Sequence, residues 1–317
     1  MHDSILGGRS DRQLPIGNEI FLDHVGHFVP DAAAARDALA RAGFAPTPVS
    51  IQVDPRSGAP TGTGNTTAML TRGYIEALFR TADTPLGREF DAALARHAGV
   101  HLVAFSVSDG AVAHRQLAAS GFRVRPLVAM QRPVETETGA GTAAFTVARV
   151  EPDAMAEGRI QILQHHTENE VWQKRWLVHP NGTLALAGLI VAVADVEEAT
   201  ERFMRFTGRD AAPCASGRTV ALDRGHVHVV SPEGFAALLP DVAVPRIPFI
   251  GAYGLVVASL DAMRNLFARA GLAAHAIGAA VAVRFPEELG QGAWLFAERA
   301  ADFPWIRPCG HSAHEPR

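Results

Sequence analysis

Apolar and polar positions alternate along FLDHVGHFVPD, Phe21 to Asp31, as they do in a half-buried strand, and Pro-Asp then opens a helix. On such a strand His24, Gly26 and Phe28 share one face, while Val25, His27 and Val29 share the other. The pattern returns in GVHLVAFSVSD, where His101, Val103 and Phe105 fall on one face and Asp109 caps the next helix. Two matched strands, each carrying a histidine ahead of an aromatic residue, predict that two copies of one motif meet and direct imidazoles into a shared cleft. His27, on the opposite face, is expected to be a core histidine.

The same grammar occurs four times along the chain. Asp31, Asp109, Asp195 and Asp261 each precede an amphipathic run, and Gly43, Gly121, Gly208 and Gly271 end those runs. An aspartate satisfies free amides at a helix start, and a glycine takes the left-handed conformation at its end. A β-rich segment precedes each helix. Short strand-like runs follow, clearly in the first two repeats and more weakly in the others; in the first, RSGAPTGTGN reads as a turn-rich separator. The unit is therefore β-α-β-β-β, and the class is α+β. One unit leaves an apolar sheet face open, so four units predict two paired domains, placed at 18–170 and 183–300. The polar and aromatic stretch HTENEVWQKRWLVHPNG lies between them.

Composition narrows the class. The chain has 317 residues, 48% hydrophobic and 20% charged, with a net charge of −4, which favours neither nucleic acid nor an anionic membrane. Cys214 and Cys309 stand far apart in no metal-ligand spacing, as expected of a reducing cytoplasm. MHDSILGGRSDRQLP is too polar and glycine-broken for a signal peptide, and the apolar run Leu184 to Ala194 is too short to span a bilayer. HHTENE lacks the spacing of a zinc-protease helix, TGTGN does not open a helix as a phosphate loop does, and no nucleophile elbow is present.

In LDHVGHFVPD, GYIEALF, HLVAFSVSD and HHTENEVWQKRWLVHPNG the chain resembles the vicinal oxygen chelate superfamily, closest to its bacterial glyoxalase-like members. The resemblance covers nearly the whole chain. It implies four βαβββ modules paired into two domains of the glyoxalase, bleomycin-resistance and extradiol-dioxygenase type. It also implies metal ligands on the first and fourth strands of a module pair. Carried onto this sequence, those positions are His24, Glu76 and His101, with Gln161 opposite Glu76. A carboxylate directed into a concave sheet is costly unless it is paired or bound to metal. Two imidazoles and a carboxylate suit Fe, Mn, Ni, Co or Zn. An amide cannot act as a base, so His165, in the same strand phase, is the candidate catalytic residue or alternative ligand. The second module pair has no histidine on its first strands. There His228 takes the place of Glu76 and Leu295 that of Gln161, which marks this pair as scaffold or lid, with His226 and His228 structural.

The expected function is that of a metal-dependent lyase or isomerase of glyoxalase type. Its metal would chelate neighbouring oxygens of a small-molecule substrate and stabilise an enediolate. Two alternatives stand beside it: extradiol ring cleavage by Fe(II), and metal-free sequestration of an aromatic or drug-like ligand. No nucleic-acid or membrane partner is expected, and a homodimer is one open assembly.

Overall fold

Strands β1 (Ile20–Phe28) and β5 (Gly99–Val107) run antiparallel at the centre of an eight-stranded sheet. On one flank, β4 (Tyr74–Arg80) lies parallel to β1 and continues through β3 (Pro60–Met69) to β2 (Ser50–Val53). On the other, β8 (Arg159–His165) lies parallel to β5 and continues through β7 (Gly139–Arg149) to β6 (Val128–Thr136). Each half of the sheet is one β-α-β-β-β module, and the modules join through their first strands. A second eight-stranded sheet repeats this order, with β9 (Thr183–Ala192) and β13 (Phe249–Val257) at its centre. Beside these stand β12 (His226–Val230) and β16 (Ala293–Ala297). The computed structural model describes residues 12–54, 57–137 and 139–306. Most of the N-terminal stretch, Cys309 and the tail histidines His311 and His314 lie outside them. Among the described residues, no helix is long and apolar enough to cross a membrane.

The repeated helices form as the capping residues dictate. Asp31 accepts from the amides of Ala33 and Ala34 ahead of α1 (Ala32–Arg41), and Asp109 caps α3 (Gly110–Ala119) in the same way. Asp195 caps α5 (Val196–Thr207), which ends on left-handed Gly208. Each cap contributes about 1 kcal/mol. In the fourth module the cap is Ser259 rather than Asp261; Asp261 lies inside the first turn of α7 (Leu260–Arg269), where a carboxylate favours the helix dipole.

Besides the single turn α4 (Glu168–Val171), two helices among the described residues were not legible in advance. α2 (Pro85–Leu94) and α6 (Pro232–Leu238) follow the fourth strands of their modules, each opened by a Thr or Ser cap and a proline. The separator RSGAPTGTGN also departs from expectation, because residues 60–65 belong to β3. The glycines there permit close packing: a Cβ on Gly62 would collide with Thr84, and one on Gly64 with the Phe79 ring.

The helix-bearing faces of both sheets share one apolar core. Val25 and Val103 of the first sheet, Leu189 and Val191 of the second, and Phe203 and Phe267 of the helices all belong to it. His27 lies there as expected of a core histidine and links the halves: one ring nitrogen meets the Leu289 carbonyl at 2.9 Å and the other the Tyr253 hydroxyl at 2.8 Å. The opposite, concave faces differ. In the second sheet the concavity is filled by Phe303 and Trp305, stacked at 4.6 Å, together with Phe235 of α6. Trp305 lies so close that a Cβ on Gly254 would approach its ring to 2.6 Å. In the first sheet a cavity is left open.

Candidate active site

The cavity is built from two rows that cross the sheet. One runs Tyr74, His24, Ala104, Gln161, Arg149, and the other runs Glu76, Gly26, Leu102, Arg159. Gly26 keeps the floor flat, since a Cβ there would press on Leu78 at 2.7 Å and on Leu102 at 3.0 Å. Met130, Phe145, Val147 and Leu163 add apolar walls, and Arg132 and Asn65 line the rim.

His24 is fixed from behind by its neighbour. At a bulge in β1, Leu22 and His24 pair with consecutive residues of β5, so Asp23 is the extra residue. Strict alternation would place Asp23 opposite His24; the bulge turns it beneath the imidazole instead. His24 Nδ1 lies 2.7 Å from Asp23 Oδ1, and His165 Nε2 lies 3.0 Å from Asp23 Oδ2. Burial alone would push the Asp23 carboxyl up, but the charges and hydrogen bonds of His165 and then His24 hold it well below the usual carboxylate range. Asp23 is therefore ionised, and both imidazoles donate to it. With Nδ1 held by Asp23, the other ring nitrogen, Nε2, faces the cavity 3.7 Å from Glu76 Oε2.

The other side chains fix this pair. Tyr74 stacks on His24 at 4.2 Å and 20°. Burial, followed by the charges of Asp23 and Glu76, pushes the Tyr74 phenol well above its ordinary value, so it stays a donor. Asn65 donates to Glu76 Oε1 and accepts from Arg132 at 3.3 Å. At the far end, Arg149 Nε donates to Gln161 Oε1 at 3.0 Å, and Arg159 lies over the Phe28 ring. Burial and the neighbouring Arg149 lower Arg159 to about 10, so it is cationic at neutral pH.

Residues 22–207 match a family described as a glyoxalase-like domain. This chain belongs to that family. It is thereby a member of the vicinal oxygen chelate superfamily, as its sequence resemblance implies. No curated protein matches the chain. Among solved structures, a hypothetical protein from Staphylococcus aureus is 11% identical with a TM-score of 0.59, covering 87% of this chain and 98% of its own. A mutant 4-hydroxymandelate synthase from Streptomyces coelicolor is 12% identical with a TM-score of 0.59, covering 90% and 95%. An Mn(II)-bound glyoxalase from Novosphingobium aromaticivorans is 12% identical with a TM-score of 0.51, covering 89% and 82%. These likenesses establish the two-sheet fold.

The structure brings together only part of the ligand set read from this glyoxalase-like sequence. His24 and Glu76 face each other, and Gln161 lies on the same concave face. His101 does not join them. Counting back seven residues from the helix caps, His24 before Asp31 corresponds to Leu102 before Asp109, and His101 corresponds to Asp23. His101 is likewise the extra residue of a bulge, between Leu102 and Val100. Its Nε2 meets the His97 carbonyl at 2.7 Å, its ring packs on Phe28, and it lines a separate cavity with Arg96 and Arg125. Burial, together with Arg96 and Arg159, depresses it to about 4. His165 is also displaced from its expected role. Its Nε2 is engaged by Asp23, its ring lies against Trp172 and Phe145, and its Nδ1 has no partner.

A divalent ion does not fit these donors. The four corner positions hold His24, Glu76, Leu102 and Gln161, and the Gln161 oxygen is already taken by Arg149. Three guanidiniums line the same cavity and would oppose a dication. Among the described residues, no group of three or more His, Cys, Asp or Glu is arranged to hold a metal. The His-His-Glu set expected for ring-cleaving iron is likewise not assembled. In the second half, His228 occupies the Glu76 position but is buried among Cys214, Ser216 and Thr219.

Sequence reasoning missed Asp23, Asn65, Arg132, Arg149 and Arg159. Of these, Asp23 had a signal, a carboxylate inside an otherwise apolar strand.

Proposed function

We propose that the chain is an enzyme of lyase or isomerase type that moves a proton next to a carbonyl, with His24 as the base. The observation that carries this is the Asp23–His24 pair, which holds Nδ1 and aims Nε2 into the cavity beside Glu76. In the forward step Nε2 takes the proton from the carbon beside the carbonyl. The C–H electron pair forms the enolate double bond, and the carbonyl oxygen gains the negative charge. Tyr74 and Arg132 are the cavity's donors for that oxygen. Where the carbon that lost the proton carries a hydroxyl, that hydroxyl proton passes to the enolate oxygen and the imidazolium, stabilised by ionised Asp23, gives its proton to the former carbonyl carbon. Otherwise the enolate expels a leaving group from the next carbon. Glu76, held by Asn65, is placed to assist the second transfer. No step requires a metal from the glyoxalase set.

The test is solvent deuterium incorporation, followed by NMR, into a panel of small ketones and keto acids after chelator treatment. Exchange above the buffer rate that disappears in His24→Asn supports the reading. Exchange that survives His24→Asn, or that appears only when a divalent ion is restored, overturns it. Binding without exchange would instead support the metal-free sequestering protein.

A further inference from the structure

The cavity is charged asymmetrically. Arg132, Arg149 and Arg159 line it against one carboxylate, Glu76. The partners of Arg149 are neutral: the Gln161 amide oxygen and, at 3.8 Å, the Met130 sulfur. Arg159 reaches a carboxylate oxygen only at 3.7 Å, on Glu89, which Arg125 already holds at 3.0 Å. Arg159 is largely buried, with 13% of its side chain exposed. A buried cation without a close counter-ion is costly unless a ligand supplies one.

Position then defines what the ligand looks like. Along the second row Glu76 and Arg159 are three strand steps apart, roughly 14 Å along the curved sheet. His24 and Arg149 are likewise three steps apart on the first row. Between these ends the surface is apolar apart from Gln161, from Leu102 and Ala104 on the floor to Phe145, Val147 and Leu163 on the wall. With Arg149 Nε engaged by Gln161, its terminal nitrogens can accept a planar two-oxygen group edge-on, which matches a carboxylate.

The geometry points to a substrate that is a small carboxylic acid with an apolar body, its carboxylate held by Arg149 and Arg159 and its reacting carbon beneath His24 and Glu76. This rests on the reading of the cavity as the reaction site, and it extends that reading to substrate class. It also gives the positive end of the cavity a purpose that a metal-chelating site would not have.

The experiment is calorimetric titration of the full chain with an aryl keto acid, 4-acetylbenzoate, whose ring separates the carboxylate from the carbon beside the carbonyl, and with its neutral methyl ester. The acid should bind at least tenfold tighter than the ester, and Arg149→Met should remove that preference. Arg159→Lys, which keeps the buried charge should Arg159→Met not fold, should weaken the acid at least threefold because the guanidinium fork is lost. His24→Asn, which keeps both guanidiniums, should retain the preference for acid over ester. Loss of exchange with retained binding therefore separates the two readings. Equal binding of acid and ester, no binding of either, or an unchanged acid affinity in Arg149→Met would overturn the assignment. So would inorganic phosphate that competes as strongly as the acid, since it would assign the guanidiniums to a phosphate group.

Discussion

Asp23 decides the chemistry of its neighbour. Ionised and shared by two imidazoles, it fixes His24 through Nδ1 and, in the proposed reaction, would stabilise the imidazolium formed on proton uptake. Asp23→Asn can donate as well as accept, which frees His24 to carry its proton on the cavity side. Deuterium incorporation should fall by about a hundredfold or more while the melting curve stays cooperative. A variant that exchanges at the parental rate would remove Asp23 from the mechanism. A second residue-scale prediction concerns the two corners that lack metal donors. The double substitution Leu102→His with Gln161→Glu supplies an imidazole and a carboxylate where the family's ligand set has them, and it frees Arg149. Titration with Mn(II) should give one site, bound at least a hundredfold tighter than in the parent chain. Equal Mn(II) affinity in the two proteins would mean that Leu102 is not the corner matching His24.

At the scale of elements, the two concave faces diverge through what lies against them. In the first half α2 covers one end, with Phe90 stacked on Phe28 at 4.3 Å, and leaves the cavity open beyond. In the second half the segment after β16 folds back and seats Trp305 against Gly188 and Gly254. Trp305 is 2% exposed, and its indole N–H has no partner. Trp305→Ala should cost about 3 kcal/mol in denaturant unfolding, at the low end for a buried tryptophan because no hydrogen bond is lost. Proton exchange in the first half should persist. A cost below 1 kcal/mol would show that the aromatic plug contributes little to closing this half.

At the scale of the whole molecule, the halves are tied through a buried hydrogen-bond chain. Trp294 Nε1 donates to the Tyr253 hydroxyl at 2.6 Å, the hydroxyl donates to His27, and His27 Nδ1 donates to the Leu289 carbonyl. This arrangement needs neutral His27. Burial depresses its pKa from 6.5 to about 4, with the His101 charge adding to the effect and the Leu289 bond opposing it. Between those values the unfolded chain binds more protons than the folded one. The contribution is therefore full above the ordinary histidine value and is lost as pH falls toward the folded value. Its size is on the order of 3 kcal/mol. His27→Gln, which can still donate and accept, should flatten the fall in unfolding free energy between pH 6.5 and 4. A slope as steep as that of the parent would assign the acid sensitivity to the other buried histidines, His97, His101 and His228.

The repeat was legible in the chain because it is local. Alternation in FLDHVGHF, the caps Asp31, Asp109 and Asp195, and the glycines that end the helices act within a few residues, so four modules and the α+β class follow from spacing. The same local rules placed His24, Glu76 and Gln161 on one concave face and His27 in the core. They failed at His101 and Asp23 because each lies on a bulge, and a bulge is set by how β1 and β5 pair across the module boundary. One extra residue moves a side chain out of the alternating phase. Alternation therefore grouped His101 with His24, although the capped helices align His24 with Leu102. Arg149 and Arg159 stand on neighbouring strands, and their alignment with each other and with Gln161 exists only in the β7–β8 and β5–β8 register. The sequence by itself determined the modules and which half could carry a site. Only the tertiary structure decided that the site is a histidine held by a buried aspartate facing a set of guanidiniums, because non-local strand register, not residue type, brings those groups together.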